Sequence, residues 1–318
     1  MPKTYIITPV YNDRQSLDKL LRELAPVHDS HGPIQAVVVD DGSLQEPTIT
    51  THLQGHPFEI QLIKLKRNVG HQRAISIGLS HTVRQKDAER IVVLDGDGED
   101  RPENIPQLLD TLQATENADV VVAQRRRREE SRVFKVFYQI YKRLFRLLTG
   151  KIIQFGNFCA MTPDAARLLV QMDELPMHFP ASIIKSGLNI EPVEVDRGKR
   201  YFGQSKMNMV SLITHGLSSV AIFTESVLTR IIIFCGMVAA TSILLILVAL
   251  TIKLMGYATP GWFTMAVGAL IGLLIQTATI TLISLLIAIN NKRTSTLTPL
   301  KVSSDYISSV EPVTASAE

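Results

Sequence analysis

Four carboxylates crowd into the six residues Asp95-Gly96-Asp97-Gly98-Glu99-Asp100, directly after the apolar run Val92-Val93-Leu94. An apolar strand here delivers two aspartates separated by one residue, and the glycines let the backbone turn tightly around a ligand. Hard oxygen ligands of this kind suit Mg2+ or Mn2+, whose other coordination sites take diphosphate oxygens and neutralise charge on a departing diphosphate. Alone, the same tripeptide is an ordinary turn, so its surroundings decide. A second carboxylate pair, Asp40-Asp41, follows Val37-Val38-Val39, and a third loop, Thr8 to Asp13, contains Pro9, Tyr11 and Asn12. Asp40 or Asp41 can accept hydrogen bonds from the ring N–H groups or hydroxyls of a nucleotide; the plain alternative is an Asx-turn or a helix cap.

The elements that must position these loops are legible as short β-branched runs alternating with helical patterns. Tyr5–Pro9, Ala36–Val39, Ile60–Lys64, Arg90–Leu94 and Asp119–Ala123 read as strands, and Ser16–Leu24 (with Ser16 as N-cap), Gly70–Thr82 and Pro102–Ala114 as helices. That alternation predicts an α/β domain with a mostly parallel sheet covered on both faces. Ligands of such sheets sit beyond the carboxyl ends of the strands, so the acidic ends of the second and fourth strands should converge on one cleft.

Beyond residue 125 the pattern changes. Val133–Leu148 predicts a basic amphipathic helix, with Phe134, Phe137, Ile140, Tyr141, Leu144, Phe145 and Leu148 on one side and Lys135, Lys142, Arg143 and Arg146 toward the rest. Such a helix suits a membrane interface, or a core contact with a solvated basic side. Met207–Ser226 reads as a second helix leading to the bilayer. From Ile231 to Asn290 the only charged residue is Lys253. The uncharged run 231–252 spans roughly 33 Å as a helix, enough for a hydrocarbon core, and 263–289 supplies a second span. Arg230 and Lys292-Arg293 flank the pair against one lysine between, which places both chain ends in the cytoplasm.

The organisation expected is therefore a cytoplasmic domain over 1–225, two transmembrane helices within 227–290, and a flexible cytoplasmic tail over 291–318, with no signal peptide at the N-terminus. A net charge of +3 says little about nucleic acid, but the basic cluster Arg125–Arg128 through Arg146 fits phosphate groups and anionic lipids better than a DNA footprint, so no nucleic-acid partner is expected. Cys159 and Cys235 lie too far apart in sequence to suggest a metal cluster, and a disulfide is not expected.

Thr8-Pro9-Val10-Tyr11-Asn12-Asp13, Val39-Asp40-Asp41-Gly42-Ser43, Asn68-Val69-Gly70-His71 and Leu94-Asp95-Gly96-Asp97 occur in the order and spacing of family 2 inverting glycosyltransferases. With its C-terminal hairpin the whole chain resembles the polyprenyl-phosphate group of that family, which includes dolichyl-phosphate mannose synthase and bactoprenol-phosphate glucosyltransferases. The resemblance implies a GT-A-like domain in which Pro9, Tyr11 and Asp13 line the nucleotide pocket, Asp41 contacts base or ribose, and Asp95 and Asp97 flank diphosphate and metal. It puts Glu99 where the family often has a metal-assisting Gln, and Arg125, within Ala123-Gln124-Arg125, where the family has Gly-x-Arg. Gly156-Asn157-Phe158 falls on the acceptor side, and Arg200 and Lys206 become candidates for holding a lipid phosphate.

The expected activity is transfer of a sugar from a UDP- or GDP-sugar to polyprenyl phosphate at the cytoplasmic membrane face, with inversion, dependent on Mg2+ or Mn2+ and catalysed around Asp97, Asp95 and Arg125. A phosphate monoester is already ionised near neutral pH and needs no protein base, which agrees with the lack of an unambiguous one. Two other readings fit the same residues: transfer to another lipid or glycan, and a non-catalytic membrane-associated protein that binds nucleotide-sugars. Membrane lipids are expected partners, and a homo-oligomer would cover apolar surface.

Overall fold

The apolar runs pair as one sheet in the computed structural model, which describes residues 2–44, 55–125, 132–203, 209–293 and 298–313. The chain divides into two compact units, one of Met1–Lys142, Lys151–Ile222 and Thr296–Glu318, the other of Arg143–Gly150 and Phe223–Ser295.

In the first unit, β1 (Thr4–Val10), β2 (Ile34–Asp40), β3 (Glu59–Leu65) and β4 (Arg90–Val93) run parallel in the order β4-β1-β2-β3. Every residue of β1 is buried, as a strand covered on both faces requires. Alternate residues serve opposite faces. Ile6, Val38, Leu62 and Val92 pack with Leu17, Leu20 and Leu24 of α1 (Arg14–His31) and Leu108 of α3 (Ile105–Ala114). Tyr5, Ile7, Val37, Val39 and Val93 pack with Ala74, Ile75 and Leu79 of α2 (His71–Thr82). Full burial of each such aliphatic side chain contributes roughly 1.5–3 kcal/mol.

Beyond β4 the sheet becomes mixed. β6 (Cys159–Met161) is antiparallel to both β4 and β5 (Val120–Arg125), so β5 points the same way as β4. β7 (Ile190–Val195) pairs parallel with β5 as the far edge, where Pro192 is tolerated because an edge strand need not donate on both sides. Thr162 caps α5 (Pro163–Leu169) and His178 caps α6 (Phe179–Ser186), two short helices packed on the α2 face. The carboxyl ends of β1, β2, β4 and β5 thus share one rim of the sheet.

Several boundaries differ from expectation for local reasons. Asp13, not Ser16, caps α1: its carboxylate accepts from Ser16 N at 3.3 Å, and the Ser16 side chain is buried. The helix expected from Pro102 opens as a 3-10 turn over Pro102–Asn104 before α3. The helix expected over 207–226 breaks at Ile222-Phe223, both buried, into α7 (Met209–Ala221) and the start of α8 (Thr224–Leu254).

The largest correction concerns the tail, expected to be flexible over 291–318. Residues 299–313 are folded into the first unit: α10 (Pro299–Tyr306) lies on α2, and β8 (Ile307–Val313) adds an antiparallel strand to β3. Leu300 N donates to Val170 O at 3.1 Å, Lys66 N to Tyr306 O at 2.9 Å, and Lys64 Nζ reaches both Glu311 oxygens at 2.9 and 3.0 Å. The strand escaped detection because it is a half-exposed edge of alternating character with Pro312 inside it, without a long apolar period.

The second unit is a helical hairpin of α8 and α9 (Trp262–Arg293), both long and apolar enough to cross a membrane. Leu228, Cys235, Ser242 and Ala249 are the buried positions of α8, seven residues apart, and Thr277 and Ser284 repeat the interval on α9. Small side chains at heptad spacing let two helices approach closely while bulky Leu, Ile and Phe side chains point outward. The last turns of α4 (Arg132–Thr149) join this unit, where Phe145 meets Phe223 edge-on at 5.9 Å between ring centroids.

Deleting residues 298–318 should strip the β3 edge and the α10 cover from α2. The expected outcome is a fall of about 5 °C or more in the unfolding midpoint of the globular unit, measured by scanning calorimetry in detergent.

Candidate active site

The loop after β4 gathers its four carboxylates because backbone bonds fold it back on itself. Asp95 N donates to Asp100 Oδ2 at 3.1 Å, and Glu99 N to Asp97 Oδ1 at 2.9 Å. Gly98 sits at φ +87°, and a Cβ there would lie 2.6 Å from the Tyr201 ring, so glycine is needed twice over. The segment Asp196–Tyr201 crosses the loop, with Gly198 N donating to Glu99 O at 2.9 Å and Tyr201 N to Asp97 O at 2.8 Å.

Three arginines answer the negative charge. Arg200 Nη2 is 2.5 Å from Asp97 Oδ2, Arg197 pairs with Glu99, and Arg125, at the end of β5, lies 3.5 Å from Asp100 Oδ1 and 4.0 Å from Glu99. Asp100 is almost fully buried; burial and the neighbouring Asp95 raise its carboxyl well above the usual range. Burial also raises Asp97. Asp95 moves the other way: desolvation opposes its charge, but the His71 charge and hydrogen bonds from His71 and Asn157 outweigh it and lower the carboxyl. His71 Nε2 is 2.9 Å from Asp95 Oδ1, and its imidazole is raised because Asp95 outweighs its desolvation.

At the carboxyl end of β1, Pro9 is the penultimate residue of the buried strand, and Tyr11, exposed, follows its last residue Val10. Asn12 adopts φ +47°, a left-handed conformation that Asn tolerates, and bridges to the second loop: its N donates to Ser43 Oγ at 2.9 Å and its Oδ1 accepts from Leu44 N at 3.0 Å. Asp40 steadies the loop by accepting from Ser43 N, three residues on, at 3.0 Å. Asp41 uses both oxygens on the loop before α2, accepting from Val69 N at 2.7 Å and Gly70 N at 3.0 Å. Gly42, at φ +71°, lets the Arg67 backbone approach to a distance that any Cβ would block. Asp13 is engaged as a helix cap and Asp41 as a loop clamp, so these two expected nucleotide ligands have structural work as well.

The structure brings Asp95, Asp97, Glu99, Arg125 and Arg200 together at the loop after β4. Lys206 and Arg126–Arg128 lie outside the described residues. The sequence does not distinguish Asp100, Arg197 or Gln72: Asp100 and Arg197 stand in acidic and basic runs whose members look interchangeable, and Gln72 sits in an ordinary helix. Among the described residues, no group of three His, Cys, Asp or Glu side chains is arranged to hold a metal ion. The hard oxygens are present, but Asp97 and Glu99 face Arg200 and Arg197.

A mixed α/β sheet with acidic loops at its carboxyl rim defines a GT-A-like domain. The model of glycosyl transferase family 2 matches residues 5–168, more than half of the chain, and the protein belongs to that family, whose members draw on nucleotide-sugar donors. Solved structures share the fold at low identity. A mycobacterial protein superposes with TM-score 0.52 at 16% identity, over 72% of this chain and 74% of that one. Glucosyl-3-phosphoglycerate synthase from Mycobacterium tuberculosis, in complex with Mn2+, UDP-glucose and phosphoglyceric acid, gives 0.51 at 15% identity over 72% and 79%. Mannosyl-3-phosphoglycerate synthase from Rubrobacter xylanophilus gives 0.50 at 18% over 69% and 72%.

Behind the rim, His178 caps α6 through Nδ1, which accepts from Ala181 N at 3.2 Å, and stacks on His215 of α7 at 4.2 Å between centroids. Burial, reinforced by His215, pushes the His178 imidazole down to about 3. The unfolded chain therefore binds this proton first, and stability is lost as pH falls from about 6.5 toward the folded value. His178→Asn, which keeps an acceptor at the cap, should flatten the fall in unfolding temperature between pH 6.5 and 4 relative to the parent protein.

Proposed function

We propose that this protein transfers a sugar, with anomeric inversion, from a UDP- or GDP-sugar to the phosphate of a polyprenyl lipid. The observation that carries this reading is the pairing of Arg200, Arg197 and Arg125 with the carboxylates of the loop after β4. A site that alternates carboxylates and guanidinium groups suits a reaction between two phosphorylated reactants.

Asp95 and Asp97, assisted by Glu99, are the residues that would hold Mg2+ or Mn2+; their hard oxygens fit such an ion. The bound ion would supply neutralisation of diphosphate charge as the sugar leaves. Arg125 stands beside the same loop to meet a diphosphate oxygen by charge-assisted hydrogen bonds. Arg200, paired with Asp97, is the cation that would orient the acceptor phosphate for attack on the face opposite the leaving group. Lys206 is assigned to the same phosphate from the sequence. Pro9, Tyr11 and Asp13 border the nucleotide, and Asp41 sets the shape of that pocket through Val69 and Gly70. An acceptor phosphate needs no base, so positioning and electrostatics carry the rate.

A lipid acceptor is supported by the two apolar helices and by Ile140, Ile213 and Leu217, exposed on α4 and α7, which Tyr141 Oη and Ser219 Oγ tie together at 2.6 Å. The first unit contains the chain both before α8 and after α9, which supports reading the two apolar helices as a hairpin with both ends on one side of a membrane. The flanking Arg230, Lys292 and Arg293 support a cytoplasmic assignment for that side. The phosphoglyceric acid in one structural neighbour supports a second reading, in which the acceptor is a small phosphorylated acid.

The test is transfer of labelled sugar from UDP- and GDP-sugars by purified protein with Mn2+ or Mg2+. Label in organic-extractable material that requires polyprenyl phosphate, and a fall of about 100-fold in Asp97→Ala, is the expected outcome. Label appearing in water-soluble product with phosphoglycerate, and none in lipid, would reassign the acceptor.

A further inference from the structure

One chain of hydrogen bonds behind the carboxylate loop has its direction fixed at both ends. It starts at the backbone of Phe179, the first residue of α6, whose N–H can only donate; its acceptor is Gln72 Oε1 at 2.6 Å. With its oxygen so engaged, Gln72 must present its amide NH2 to Asn157, and Gln72 Nε2 lies 3.1 Å from Asn157 Oδ1. That in turn obliges Asn157 to turn its own NH2 toward the cleft, where Nδ2 lies 3.1 Å from Asp95 Oδ1 and 3.5 Å from Oδ2. Asp95, an ionised carboxylate, can only accept. Neither amide can flip without leaving two acceptors or two donors face to face, so the backbone of α6 determines what Asp95 meets. His71 Nε2 lies 2.9 Å from both Asp95 Oδ1 and Asn157 Nδ2, so His71 and Asn157, from different elements, close on the carboxylate together.

We propose that Gln72 and Asn157 are positioning residues for Asp95, a directional amide relay that holds its carboxylate in the orientation needed to bind a divalent cation. The inference rests on the metal role given to Asp95 above. Gln72 touches no reactant in this scheme; it acts only by orienting Asn157, and Asn157 acts by orienting Asp95. Neighbours that orient a metal-binding group in this way commonly alter metal affinity about 10- to 100-fold when removed. A relay also has a property that independent packing roles lack: removing the link nearest the carboxylate makes the farther link irrelevant.

The experiment is a double-mutant cycle on the full-length protein in detergent, with Mn2+ alone as the probe and free Mn2+ followed by electron paramagnetic resonance. Asn157→Ala and Gln72→Ala should each weaken Mn2+ binding by about 10-fold or more, and the double variant should be no weaker than Asn157→Ala. Should Asn157→Ala fail to fold, Gln72→Met, nearly isosteric and without hydrogen-bonding groups, carries the same test from the far end and should lose affinity by a similar factor while its unfolding temperature stays near that of the parent. Asp95→Ala separates the two ways of being wrong. If it weakens Mn2+ binding and the Asn157 and Gln72 variants do not, or if their effects simply add, the relay is overturned and the metal reading stands. If Asp95→Ala leaves Mn2+ binding intact, both fall.

Discussion

Repulsion among Asp95, Asp97, Glu99 and Asp100 is the constraint around which the first unit is arranged. Two unit charges about 4 Å apart at a protein surface repel by about 4 kcal/mol, and this loop contains four carboxylates in six residues. The fold balances them with cations from different parts of the chain: Arg125 from the end of β5, Arg197 and Arg200 from the segment after β7, and His71 from the start of α2. Asp100 is withdrawn into the interior, where its carboxyl is raised and its oxygens serve Asp95 N and Arg125. Under the proposed function, a loop poised this way would take a cation and a polyphosphate by exchanging one set of charge pairs for another, with little new organisation required when a donor arrives.

The same economy links the ends of the chain to the site. Asp41 holds Val69 and Gly70, and Lys66, three residues earlier, is bound from the other side by the backbone of Tyr306. The loop that leads into α2, and so to His71 and Gln72, is therefore clamped between β2 and a segment that follows the apolar hairpin. The C-terminal segment is a component of the glycosyl transferase domain, despite the two long helices that precede it.

What could be read from the sequence follows burial. Parallel strands covered on both faces appear as near-continuous apolar runs, so β1, β2, β4 and their acidic ends were visible, and the apolar hairpin stood out by its lack of charge. β6, with three residues, has too few positions to display a period, and β8 is a half-exposed edge whose Ser and Pro residues resemble a loop. Pairings such as Arg200 with Asp97 join residues a hundred positions apart, and spacing carries no trace of them. Asp13 and Asp41 show the opposite failing: their types fit nucleotide contacts, but the same acceptor oxygens serve a helix cap and a loop clamp, a choice that only the backbone geometry settles.

Under the proposed function, metal and diphosphate meet at the loop after β4. Crystals grown with Mn2+ and either uridine or guanosine diphosphate, examined by anomalous scattering from manganese, would locate the ion directly. The expected result is a peak within about 2.2 Å of an Asp97 oxygen, with the diphosphate bound beside it and Arg200 no longer paired to that carboxylate. A manganese peak elsewhere, or a bound diphosphate with the Arg200–Asp97 pair intact and no ion at the loop, would contradict it.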